Sequence, residues 1–174
     1  MPKNVKNYDI DQLLETMSQQ LAKRMKQSSI DDPVMVGIHS AGVWIAKRLH
    51  QSLGIKEPLG ELNSSFYRDD FDRIGLHPQN KPSQLPFSLE NKHIILVDDV
   101  LYTGRTIRAA MNELFDYGRP ASITLAVLID RANRELPIEA QVVGFKEETD
   151  EDSYYKISQE NDQLKLDIIQ KEAG

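Results

Sequence analysis

The apolar run Ile94-Ile95-Leu96-Val97 ends on two adjacent carboxylates, Asp98 and Asp99, and a few residues later the chain reads Thr103-Gly104-Arg105-Thr106. A continuous apolar strand is covered on both faces, which is the situation of strands inside a parallel sheet flanked by helices. Parallel neighbours need crossover connections, so such a chain has to alternate strands with helices. The rest of the sequence does.

From Ile10 the apolar residues Ile10, Leu13, Leu14, Met17, Leu21 and Met25 recur at helical spacing and predict an amphipathic helix of about five turns. Pro33 to Ile38 reads as a short buried strand. Gly42, Ile45, Ala46, Leu49 and Leu53 mark a second helix stopped by Gly54. Leu59 to Arg68 looks extended, and Asp69 to Ser88 is a polar stretch with Gly75, Pro78, Pro82 and Pro86, the composition of a lid or binding loop. A strand over His93 to Val97 leads through the paired acids and a short loop to a helix with Ile107, Ala110, Met111 and Leu114 inward, stopped at Gly118 with Pro120 beyond. Ser122 to Ile129 is the next buried strand. Three shorter strands are expected at Gln141 to Phe145, Tyr154 to Ser158 and Lys165 to Ile169, the last two joined around Asn161-Asp162 as an antiparallel flank. The 174 residues suit one α/β domain spanning 1–174.

Composition narrows the chemistry. With no Cys, catalysis cannot use a thiol and no disulfide or thiolate metal site exists, which fits a reducing, cytoplasmic location. No stretch reaches the ~20 apolar residues of a membrane span, and Met1-Pro2-Lys3-Asn4 starts no visible signal peptide, so no membrane partner is expected. The 21 Lys and Arg against 27 Asp and Glu leave a net charge of −6, a poor basis for gripping phosphate backbones by bulk charge.

Local groups can still bind phosphate. An apolar strand ending in carboxylates delivers them to the carboxyl edge of the sheet, where open α/β folds take ligands. Thr103 to Thr106 opens the next helix, and its first-turn amides, hydroxyls and dipole suit an anion. Two carboxylates beside an anion cradle do not attract the anion; they accept hydrogen bonds from hydroxyls such as a ribose diol. Phosphate plus diol is a sugar phosphate. A P-loop nucleotidase would need an upstream Gly-rich loop ending in Gly-Lys-Ser/Thr, which is absent, and Gly37-Ile38-His39-Ser40-Ala41-Gly42 lacks dinucleotide-binding spacing. Simple helix capping by Thr and Asp explains each residue singly but not their ordered combination.

The stretch Ile94 to Thr106 resembles the PRPP-binding motif of the type I phosphoribosyltransferases. With Arg108-Ala109-Ala110, Tyr117 to Ser122, Asp130-Arg131, Arg134 to Ile138 and upstream Phe66 to Asp70, it is similar more narrowly to the PyrR family of uracil phosphoribosyltransferases and pyrimidine-operon regulators, across about residues 34–145. The resemblance implies an α/β fold with a five-stranded parallel sheet flanked by helices, a small hood over the base, and the reaction of uracil with PRPP to UMP and pyrophosphate. It implies Mg2+ carried mainly by PRPP, no protein-held metal, and a homo-oligomer. By matching position, Asp98 and Asp99 would act on the ribose hydroxyls as the catalytic pair. Val97, Val100 and Leu101 would belong to the nucleotide-binding stretch, and Tyr102, Thr103, Gly104, Arg105 and Thr106 would hold the 5′-phosphate. The turn His39, Ser40, Ala41 and Gly42 would face pyrophosphate, Arg131 the nucleotide, and Arg68 the root of the lid at 69–88.

Two departures from the family pattern bear on function. The pyrophosphate turn carries His39-Ser40-Ala41 where relatives place a basic residue, Thr and Arg, so it lacks a guanidinium. Around the expected RNA face stand Asn133-Arg134 and Ile138-Glu139, followed at Lys146 to Asp152 by five acids in seven residues. Such a run repels a phosphate backbone, which disfavours RNA as a partner. The alternative to an enzyme is a UMP- or PRPP-sensing regulator with weak catalysis.

Overall fold

The computed structural model describes residues 5–63, 83–131, 133–147 and 153–170. Its elements are β1 (Val5–Tyr8), α1 (Ile10–Gln27), β2 (Val34–Ile38), α2 (Ala41–Leu53), β3 (Gly60–Leu62), β4 (His93–Leu101), α3 (Arg105–Tyr117), β5 (Ser122–Arg131), β6 (Val142–Glu147), β7 (Ser153–Glu160) and β8 (Gln163–Gln170). Five strands form one sheet in the order β3-β2-β4-β5-β6, every pair parallel. β1, β8 and β7 form a separate three-stranded antiparallel sheet.

Strand alternation sorts the core into two layers. Met35, Ile95, Val97 and Leu128 face α1 and α2, meeting Leu14, Met17 and Leu21 from the first helix and Ile45, Ala46 and Leu49 from the second. Val34, Val36, Ile94, Leu96, Leu125 and Val127 face the other way, against Ile107, Ala110 and Leu114 of α3. Both sides of the central strands are thereby removed from water over residues 94–97 and 125–129, the reason these stretches are apolar without interruption. Leu164 and Leu166 of the small sheet join the first layer, so that sheet packs beside α1.

The helices keep their expected ends. Asp9 caps α1, its carboxylate accepting from the Gln12 amide at 3.2 Å, and Gly54 closes α2 with φ +62°. Three features differ from the expectation. β4 does not stop at Val97 but continues through the two acids to Leu101, because β5 runs beside it as far as the Leu101–Asp130 pair. β1 lies outside the expected elements; its four residues pair with β8 from Val5–Ile169 to Tyr8–Leu166. Of the extended segment expected at Leu59 to Arg68, Gly60–Leu62 is strand, while Arg68 and the part of the expected lid at 69–82 lie outside the described residues. Among the described residues no helix is long and apolar enough to cross a membrane.

Candidate functional site

β2 and β4 are parallel neighbours, in register from Val34–Ile94 to Gly37–Val97, so their carboxyl ends reach the same edge. From β2 the sheet extends to β3 on one side, and from β4 to β5 on the other. The boundary between them is a topological switch point, the place where doubly wound sheets open a crevice. The turn 39–42 and the stretch 98–106 meet there.

Contact between the two is close. A Cβ on Gly42 would stand 2.9 Å from the Val97 carbonyl and 3.1 Å from Asp98 Oδ1, so only glycine lets the first turn of α2 lie against β4. Asp98 consequently lies against the first turn of α2. The His39–Ser40 peptide is cis, and the His39 amide donates to the Leu62 carbonyl at 2.9 Å. His39 Nε2 lies 2.8 Å from Glu61 Oε1 on β3, an anchoring partner that the sequence pattern did not indicate. The Ser40 hydroxyl makes no capping bond to α2 and is exposed.

The two acids are not equivalent. Asp98 is buried, with 3% of its surface exposed, and its Oδ1 accepts from the Asp99 amide at 2.8 Å. Asp99 is partly exposed, and its Oδ1 accepts from the Val100 amide at 2.8 Å. Each carboxylate is thus oriented by the backbone one residue on, and Asp99 is the more open of the pair to a ligand hydroxyl.

Beyond Leu101 the loop turns into α3 through Gly104 at φ +96°, a conformation that favours glycine. The helical ladder begins with the Arg108 amide donating to the Gly104 carbonyl, which leaves the preceding first-turn amides outside it. One of these is used internally: the Arg105 amide donates to Thr103 Oγ1 at 3.2 Å. The amides of Thr106 and Ile107 are left at the helix's positive end, the groups that would receive a phosphate.

The segment 133–138, which carries part of the family resemblance and adjoins the expected RNA face, braces this loop through Arg134. Arg134 Nη1 donates to the Tyr102 carbonyl at 2.6 Å, Nε to the Ile138 carbonyl at 2.8 Å, and Nη2 to Asp130 Oδ1 at 2.5 Å. The Glu135 and Leu136 amides both donate to the Thr103 carbonyl at 3.0 Å. A Cβ on Gly104 would approach Leu136 Cβ to 3.3 Å and Ile138 Cβ to 3.4 Å, so the brace and the loop are in direct contact. No local spacing in the sequence announces Arg134; its partners come from β5, from the loop after β4 and from its own turn. Arg105 and Glu135 add an exposed ion pair at 3.2 Å, of small energetic weight.

Arg131, at the end of β5, lies with its guanidinium carbon 4.4 Å from the Tyr102 ring centroid. The structure therefore brings Asp98, Asp99, Tyr102 to Thr106, the 39–42 turn and Arg131 to one edge. Among the described residues, no group of three or more His, Cys, Asp or Glu is arranged to hold a metal ion.

Residues 4–163 match the family described as phosphoribosyl transferase domain. A bifunctional protein PyrR of Nitrosococcus oceani is 60% identical over 138 residues, covering 78% of this chain and 78% of its own length. One of the same name from Pseudomonas paraeruginosa is 57% identical over 133 residues, 76% of this chain and 78% of its own. Among solved structures, a hypoxanthine-guanine-xanthine phosphoribosyltransferase superposes with a TM-score of 0.66 at 18% identity, over 95% of this chain and 93% of that one. A hypoxanthine-guanine phosphoribosyltransferase of Bacillus anthracis does so with a TM-score of 0.65 at 17% identity, over 85% and 84%. At such identity the likeness speaks for the fold.

Proposed function

We propose, from the premise that this chain belongs to the phosphoribosyltransferase family and within it to the PyrR proteins, that its crevice joins uracil to PRPP, giving UMP and pyrophosphate. The family makes the chain a glycosyltransferase-type enzyme, and the fold is that of the type I phosphoribosyltransferases. The observation that carries the reading is the pairing, at one switch point, of an oriented carboxylate with a braced helix N-terminus: Asp99 beside Thr103 to Thr106.

In this reading the amides of Thr106 and Ile107, with the Thr103 and Thr106 side chains, receive the 5′-phosphate. Asp99, assisted by the buried Asp98, accepts hydrogen bonds from the ribose hydroxyls. As the bond from C1 to pyrophosphate breaks, the sugar gains oxocarbenium character, and carboxylates fixed nearby stabilise that positive charge. Pyrophosphate leaves with the bonding electron pair, and N1 of uracil, as it joins C1, gives up its proton to the departing pyrophosphate or to solvent water. The turn 39–42 lies across the crevice, on the side where pyrophosphate departs. Its donors are backbone amides, the exposed Ser40 hydroxyl and His39 held against Glu61. A Mg2+ carried mainly by PRPP would meet Asp98 and Asp99 as the carboxylates of this edge and would supply charge neutralisation for pyrophosphate.

One observation favours a second reading, a UMP-sensing regulator with weak turnover. The pyrophosphate turn has no guanidinium or ammonium of its own, whereas the nucleotide half of the site is fully furnished. The test is UMP formation from PRPP, uracil and Mg2+ by purified protein, with hypoxanthine, guanine, xanthine and orotate as competing bases.

A further inference from the structure

The small antiparallel sheet reaches the crevice through one side chain. Tyr155 lies on β7, paired across the sheet with Ile168 of β8. Its ring centroid is 5.2 Å from the guanidinium carbon of Arg131, the same carbon that stands 4.4 Å from the Tyr102 ring. Both distances are inside cation–π range. Three elements remote in sequence are thereby joined by one cation: the loop after β4, the end of β5, and β7.

The geometry points to Tyr155 as a positioning residue for the nucleotide site, acting through Arg131. The inference rests on the reading proposed above, in which Arg131 faces the nucleotide. An arginine at a strand end has four rotatable side-chain bonds, and a pair of ring faces confines its planar group better than one face can. On one side stands the ring of Tyr102, whose backbone carbonyl is held by Arg134 Nη1 at 2.6 Å. Tyr155 supplies the other contact from a side chain that is itself half-buried among the hydrophobic residues of the first core layer. The charged neighbour of Arg131 in the main sheet is Glu147, its register partner on β6, which offers charge but no ring face. The ring of Tyr155, not its hydroxyl, is the part that acts.

This predicts a specific pattern of substitution. Tyr155→Leu keeps apolar volume and removes the ring face, and should weaken UMP binding about five- to tenfold, the range of one partly desolvated cation–π contact. Tyr155→Phe keeps the face and should bind UMP within about twofold of the parent, since the contact requires only the ring. Affinity for ribose 5-phosphate, which carries the phosphate and ribose without a base, should stay unchanged in both. Tyr155→Met is a second non-aromatic replacement, for use where Leu folds poorly.

The experiment is calorimetric titration of the full chain with UMP and with ribose 5-phosphate, for the parent, Tyr155→Leu, Tyr155→Met, Tyr155→Phe, Arg131→Gln and the Tyr155→Leu/Arg131→Gln pair. The expected result is a UMP-selective loss in Leu and Met, rescue by Phe, and no further loss when Leu is added to Arg131→Gln. Weakened UMP binding by Arg131→Gln with none by Tyr155→Leu or Tyr155→Met would overturn this inference and leave the placement of Arg131 intact. Unchanged UMP binding by Arg131→Gln would overturn both. Losses that Phe does not rescue, that add fully in the pair, or that affect ribose 5-phosphate equally would show a purely structural role for Tyr155 and overturn it too.

Discussion

Arg134 donates from Nη1 to the carbonyl of Tyr102 at 2.6 Å while Nη2 holds Asp130 at 2.5 Å, so a side chain next to the expected RNA face serves as the internal support of the phosphate loop. Asp130 is buried and the Arg134 side chain mostly so, which makes the pair costly to break from one side. We expect Arg134→Met to destabilise the fold by about 2–4 kcal/mol in denaturant titration, leaving Asp130 without its cation. The same variant should raise KM for PRPP at least about tenfold, the effect of losing roughly 1.4 kcal/mol of loop preorganisation. Arg134→Lys, which cannot reach three acceptors at once, should fall between the parent and Met.

Gly104 and Gly42 are fixed for different reasons. Gly104→Ala meets a backbone at φ +96° as well as Leu136 and Ile138, so a loss of about 1–2 kcal/mol and a weakened phosphate site are expected. Gly42→Ala meets the Val97 carbonyl at 2.9 Å and has to push α2 away from β4. It should therefore reduce thermal stability and PRPP affinity together, whereas Gly54→Ala, with nothing within 4 Å, should carry only the backbone cost of its φ of +62°. Differential scanning calorimetry beside PRPP titration separates the three.

The inequality of the two acids gives a third test. Asp99→Asn should lower kcat by about tenfold or more with little change in stability, since the amide oxygen can still accept from Val100 while the charge is lost. Asp98→Asn removes a carboxylate that is buried against the first turn of α2, and should lower stability and kcat together.

The acids around the expected RNA face and the commitment of Arg134 to internal bonds lead to a fourth prediction. Sequence-specific affinity for pyrimidine-operon leader RNA should be absent at physiological salt, with or without UMP, in a gel-shift titration. A UMP-dependent shift would show that another face of the chain carries a basic surface.

Much of this fold can be read from the sequence because burial on both faces leaves an unbroken apolar run. Ile94 to Val97 and Leu125 to Ile129 are such runs, and the helices between the strands show their caps and inward stripes. What escaped reading depends on distant partners. β1 is strand only because Tyr8 and its predecessors find β8, more than a hundred residues away. Asp98 to Leu101 remain strand because β5 extends alongside them, which the polarity of the acids conceals. At the site, the acids and Thr103 to Thr106 were legible because strand, carboxylates and helix start follow one another in sequence. Arg134, Glu61 and Tyr155 were not, since each acts on a residue brought to it by the sheet.

Transfer of a phosphoribosyl group to uracil is read out by following UMP formation from PRPP, uracil and Mg2+ with the parent and with Asp99→Asn. The expected result is UMP and pyrophosphate in equal amounts, uracil preferred over hypoxanthine, guanine, xanthine and orotate, and a slowed Asp99→Asn. A parent protein that binds UMP tightly yet forms no product from any of these bases would contradict it.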